Sequence, residues 1–81
     1  MNSFKLIQGQ FSCNDAIDII TQMVQVKIKF HESKITNTSN EEDSKMQEKR
    51  IKELQNELQN LRIAILSGGG IVELNSVINY Q

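Results

Sequence analysis

The stretch Cys13–Thr36 (CNDAIDIITQMVQVKIKFHESKIT) decides how this chain is read. Within it Ile17, Ile20, Val24, Ile28 and Ile35 fall in one narrow arc at roughly 100° per residue, the turn of an α-helix. A second stripe, Ala16, Ile19, Met23, Val26 and Phe30, fills the adjoining sector and widens the apolar arc to about 200°. Asp18, Thr21, Gln22, Gln25, Lys29 and Glu32 take the remaining face. The run is rich in β-branched residues, which favour strands. It is nevertheless long and free of proline, and its polar residues collect on one helical face, so a helix over about 13–36 is predicted. Ser12 stands where an N-cap is needed, with Asp15 three residues on.

Downstream, Asn37–Asn40 (NTSN) reads as a turn, because its side chains compete for backbone hydrogen bonds. Ser39 and Glu42 have the spacing of a capping box, and Glu41, Glu42 and Asp43 suit the positive end of a helix dipole. A second helix is expected over about 41–67. Its Ile51, Leu54, Leu58, Leu61 and Ile65 alternate steps of three and four, the period of a coiled-coil seam. Ser44 and Gln47 continue that seam toward the turn, so the turn end is the more polar one. Glu41 with Lys45 and Glu48 with Lys52 are placed for i,i+4 ion pairs. Gly68 is read as the helix stop.

The flanks read as strands, about 4–8 and about 71–80, the latter (IVELNSVINY) dense in β-branched residues. The fold class is therefore mainly α: an antiparallel hairpin of two long helices, each about 36 to 39 Å, with short terminal β-strands, all in one domain over 1–81. The helices' short connection brings the two strands to the same end, where they can pair.

Eighty-one residues give a core with a thin stability margin, so a further support is expected. The single cysteine, Cys13, and the single histidine, His31, provide neither an intrachain disulfide nor a zinc set. Self-association remains. One helical neighbour covers one stripe of a 200° arc and leaves the other in water, and an isolated two-stranded ribbon has two open edges. The expected assembly is a four-helix bundle-like homo-oligomer, a dimer first and a tetramer next. Its contact lies on Ala16, Ile19, Met23, Val26 and Phe30, and is richest at the strand end, where Ile17, Ile19, Ile20, Leu61, Ile63, Ile65 and Leu66 gather.

Chemistry is sparse. His31 extends the first stripe and would become a metal or ligand site, or a pH switch, where symmetry-related copies converge; a satisfied structural histidine outweighs that reading. Cys13 has no second thiol to resolve it and no nearby histidine, so an incidental cysteine is expected. Asp15 and Asp18 are explained by capping and a solvated face. The triplet Gly68–Gly70 follows a helix and leads to a strand, the reverse of a phosphate loop. The basic residues Lys45, Lys49, Arg50 and Lys52 are the nearest approach to a nucleic-acid footprint, but Glu48 and Glu53 interrupt them and no aromatic residue interleaves. A net charge of −1 supplies no long-range field for nucleic acid or anionic lipid. Met1–Gln10 has neither a basic leader nor a long apolar run, and no segment approaches the roughly 20 apolar residues that span a bilayer. The reading is of a cytoplasmic, non-enzymatic structural or protein-interaction module with no cofactor and no membrane partner. An oligomeric ligand-binding protein using His31, and a nucleic-acid-associated regulator, stand as alternatives.

Overall fold

A computed structural model of the chain describes every residue except Thr38, which falls within the expected turn and so lies outside the described residues. The elements follow in the order β1 (Asn2–Ser12), α1 (Cys13–Thr36), α2 (Glu41–Gly68) and β2 (Ile71–Tyr80). The two helices and the two terminal strands agree with the sequence reading in kind and in order, and the chain is mainly helical.

The helices lie antiparallel along the expected seam. Ile17, Ile20, Val24, Ile28, His31 and Ile35 of α1 are half-buried, as are Ser44, Gln47, Ile51, Leu54, Leu58, Leu61 and Ile65 of α2. Two side-chain contacts fix the register. At the strand end Cys13 Sγ lies 3.6 Å from the Ile65 carbonyl oxygen, and at the turn end His31 Nδ1 lies 2.6 Å from Gln47 Oε1. Both pairs are centred on Ser39, so each step forward along α1 is matched by one step back along α2.

The two ends of α2 differ by a residue from their expected caps. Asn40, not Ser39, caps α2: its Oδ1 accepts from the backbone N–H of Glu42 at 2.9 Å and of Asp43 at 3.4 Å. Both side chains are capable N-caps, and Asn40 stands immediately before the first helical residue, within reach of the unpaired donors of the first turn. The expected α1 cap holds, with Ser12 Oγ accepting from Asp15 N–H at 3.2 Å. At the far end of α2, Gly68 is still helical, and the helix stops on Gly69, at φ 66° and ψ −177°, which donates its N–H to the Ile65 carbonyl at 3.1 Å. Among the described residues the ion pairs are Glu41–Lys45 at 3.9 Å and Arg50–Glu53 at 3.5 Å; Glu48–Lys52 is not one of them. Both are exposed and add little to stability.

The first strand is much longer than the expected 4–8. It runs from Asn2 to the N-cap of α1 with no intervening loop, because β2 offers it a partner along its whole length, from Asn2 opposite Tyr80 to Ser12 opposite Ile71. One face of this antiparallel ribbon, with the pairs Phe11–Val72, Gly9–Leu74 and Ile7–Ser76, is half-buried against α1. The other carries Gln8–Asn75 and Gln10–Glu73. A bulge leaves Leu6 without a partner between Lys5 and Ile7. In a regularly alternating strand residues three apart face opposite ways; the extra residue of the bulge brings Phe4, opposite Ile78, onto the same face as Ile7.

The result is an open slab, 46 × 35 × 13 Å between Cα extremes. Among the described residues only Ala16 is fully buried.

The caps at the end of α2 yield a test with opposite signs at neighbouring positions. Gly69 holds a backbone conformation open essentially to glycine, so Gly69→Ala is expected to cost about 1–3 kcal/mol even though an added Cβ meets nothing within 4 Å. Gly68→Ala fills a helical position with equally open space and is expected to stabilise by up to about 1 kcal/mol. Urea unfolding of the two variants measures both.

Candidate functional site

Two regions of the hairpin carry what the sequence singled out: the flank of α1 beside the ribbon, and the polar end around His31.

The flank of α1 is covered unevenly. Ala16 is wholly enclosed by its own chain, because the ribbon leaves the helix at Cys13 and closes over the first turns. It therefore lies beneath the surface that the stripe presents, and Ile19 is half-buried beside it. Farther along, the ribbon diverges and the cover ends: Met23 is just exposed, Val26 is 68% exposed and Phe30 is 56% exposed. Among the described residues the ring contacts of Phe30 are with its neighbours in sequence, the edge of His31 at 5.5 Å and Lys34 Nζ at 5.3 Å from its centroid. Helix and ribbon bound an open cleft of about 360 Å3, with Ile20, Met23, Val24 and Leu54 on the helical wall and Ile7, Leu74 and Ser76 on the ribbon wall. Met23 thus joins the exposed stripe to the cleft. Of the strand-end residues expected to enrich the contact, Ile17, Ile20, Leu61 and Ile65 are spent largely within the hairpin, whereas Ile63 and Leu66 remain more than half exposed on α2.

The ribbon's outer half extends this surface beyond the residues that helical periodicity marks. Phe4, Leu6, Val77, Ile78 and Tyr80 are all exposed there. Their apolar alternation is visible in the sequence, but the face on which Phe4 lies depends on the Leu6 bulge, which no local signal marks.

At the other end His31 sits in the seam, half-buried. Gln47 Oε1 is an acceptor, so Nδ1–H donates to it, and the seam there is closed by a hydrogen bond in place of an apolar pair. A second cleft, of about 420 Å3, opens beside the ring and is lined by Lys27, Arg50, Glu53, Leu54 and Glu57. Its charges are of both signs, and Arg50 is committed to Glu53. Among the described residues of one chain no three His, Cys, Asp or Glu side chains gather as metal ligands would. Of the basic residues, Lys45 and Arg50 are engaged with carboxylates, while Lys49 and Lys52 lie on the exposed face of α2.

Cys13 stands where both strand–helix junctions meet. Its Sγ lies 3.2 Å from the Gly70 carbonyl oxygen as well as 3.6 Å from that of Ile65, so the thiol, a weak donor, bridges the start of α1 to the end of α2. No helix among the described residues is long and apolar enough to cross a membrane. Comparison of the chain with protein-family models, with curated proteins and with solved structures finds no match.

The His31–Gln47 pair makes a direct test of a structural role. His31→Leu or Gln47→Leu alone strands one half-buried polar group and is expected to cost about 1 kcal/mol, whereas the double variant extends the apolar seam and is expected to be at least as stable as the parent. Chemical unfolding of the four chains measures the cycle; a double variant that loses as much as the two single losses together would show that the pair contributes nothing.

Proposed function

We propose that this chain is a non-catalytic structural or protein-interaction module that works as a homo-oligomer, a dimer whose two hairpins form a four-helix bundle-like core. The observation that carries the reading is how little the single chain encloses. Its accessible surface is 6398 Å2, whereas a compact monomer of 9.3 kDa exposes about 5,000 Å2. The excess of about 1,400 Å2 per chain exceeds the roughly 800 Å2 that each partner contributes to a standard protein interface. Its radius of gyration, 15.4 Å, is likewise larger than the about 12 Å of a compact chain of this length.

The apolar residues left in water are grouped. Met23, Val26 and Phe30 continue one helical stripe, and that stripe opens into the cleft under the ribbon. A large contiguous apolar patch bordered by polar residues is the usual mark of a protein interface. A twofold axis lets the patch meet its own copy, which needs no second gene product. Ala16 and Ile19 back this surface from below, and Met23, Val26 and Phe30 form its contact. The ring of His31 serves the seam through Gln47, which favours a structural histidine over a ligand site. The one unpaired thiol is compatible with a reducing, cytoplasmic setting.

Sedimentation velocity at micromolar concentration tests the reading. The parent chain is expected to sediment as a dimer. Val26→Glu or Phe30→Glu is expected to weaken dimerisation by at least about 2 kcal/mol, because each buries a charge in the contact. A parent that sediments as a folded monomer would overturn it.

A further inference from the structure

We infer that two copies of this chain join along the outer edge of β2, so that their ribbons form one four-stranded antiparallel sheet in the order β1-β2-β2-β1 with the twofold axis at Ser76. This names the contact of the homo-oligomer proposed above and rests on that reading.

Each strand of the ribbon has one neighbour and one open edge of unpaired N–H and C=O groups. The two edges are not alike. That of β1 is interrupted by the Leu6 bulge and carries Lys5 beside it, two of the devices that keep an edge from accepting another strand. That of β2 runs without a break from Ile71 to Tyr80, has no proline, and holds Glu73 as its one charge. Among the described residues it is the longer unbroken edge, the kind that accepts a further strand.

Twofold pairing of β2 with itself restricts the register. The two ribbons keep their apolar faces on the same side only when paired residues share a face, so the axis must pass through a residue and not between two. Centring on Glu73 would set two carboxylates against each other. Centring on Asn75 places Glu73 opposite Val77 and Leu74 opposite Ser76. Centring on Ser76 pairs residues 72–80 of the two copies, sets apolar against apolar on the helix-facing side, and leaves Asn75 opposite Val77 as the mixed pair. Leu74 meets Ile78 and Val72 meets Tyr80 on the helix-facing side, while Glu73 meets Asn79 on the other.

The same register covers what one chain leaves bare. Ile78 and Tyr80 are 44% and 52% exposed in the outer half of the ribbon, and the axis at Ser76 sets them beside Leu74 and Val72 of the second copy, which lie under its helices. Ser76 also lines the cleft with Met23. The axis therefore passes beside the exposed stripe of α1, and one interface engages both the strand edge and the helix flank.

A residue on a twofold axis between antiparallel strands lies opposite its own copy at a Cα separation suited to a disulfide. The test is oxidative cross-linking of the full-length Cys13→Ser chain carrying one new cysteine: Ser76→Cys, Asn75→Cys, Asn79→Cys or Val26→Cys. Sedimentation and circular dichroism before oxidation establish that each is folded and dimeric. Ser76→Cys is expected to form a covalent dimer roughly fivefold or more faster than Asn75→Cys or Asn79→Cys. A dimer in which Asn75→Cys or Val26→Cys cross-links and Ser76→Cys does not would overturn the Ser76-centred edge and leave self-association standing. A parent that sediments as a monomer overturns both, and a disulfide formed only from a monomeric species is collisional and counts against the edge as well.

Discussion

Two cylinders side by side touch along a line, and that limit governs this molecule. The seam from Ile17 to Ile35 against Ser44 to Ile65 takes up one stripe of each helix. It sets the register, brings Cys13 to Ile65 and His31 to Gln47, and delivers both terminal strands to one end. It cannot also cover the second apolar stripe of α1. The ribbon covers the beginning of that stripe, burying Ala16, and then diverges. What is left is a layer 13 Å thick with apolar side chains on its surface.

The ribbon shows the same incompleteness in another form. Its face toward α1 is apolar, and the Leu6 bulge extends that face outward by turning Phe4 onto it. A bulge costs ladder hydrogen bonds, so one that prolongs an apolar face past the end of its cover has a physical rationale if something else covers the extension. A second copy, as proposed, would meet that need at both places, the helix flank and the strand edge, with one symmetry operation.

The hairpin was legible in the sequence because its signals are local. The spacing of Ile17, Ile20, Val24 and Ile28, the polar gap at 37–40 and the heptad-like leucines of the second helix each act within a few turns. The caps were less so. Ser39 and Asn40 are both good N-caps, and Gly68 and Gly69 both suit a helix end, so local chemistry leaves a choice of one residue that packing decides. The extent of β1 was not legible, because Gly9 and Gln10 belong to a strand only through Leu74 and Glu73, far away in the chain. The same holds for the candidate surface. Met23, Val26 and Phe30 follow from helical periodicity alone, whereas the enclosure of Ala16 and the cleft beneath Met23 depend on where the ribbon turns.

If the core is completed between chains, folding and association are one equilibrium, and stability must rise with protein concentration. Urea unfolding followed over a hundredfold range of concentration measures this most directly. Coupled dimerisation raises the apparent stability by about 2.7 kcal/mol per dimer over that range, with the midpoint moving to higher urea. A midpoint that stays fixed would mean that the open slab is stable by itself and would contradict the account.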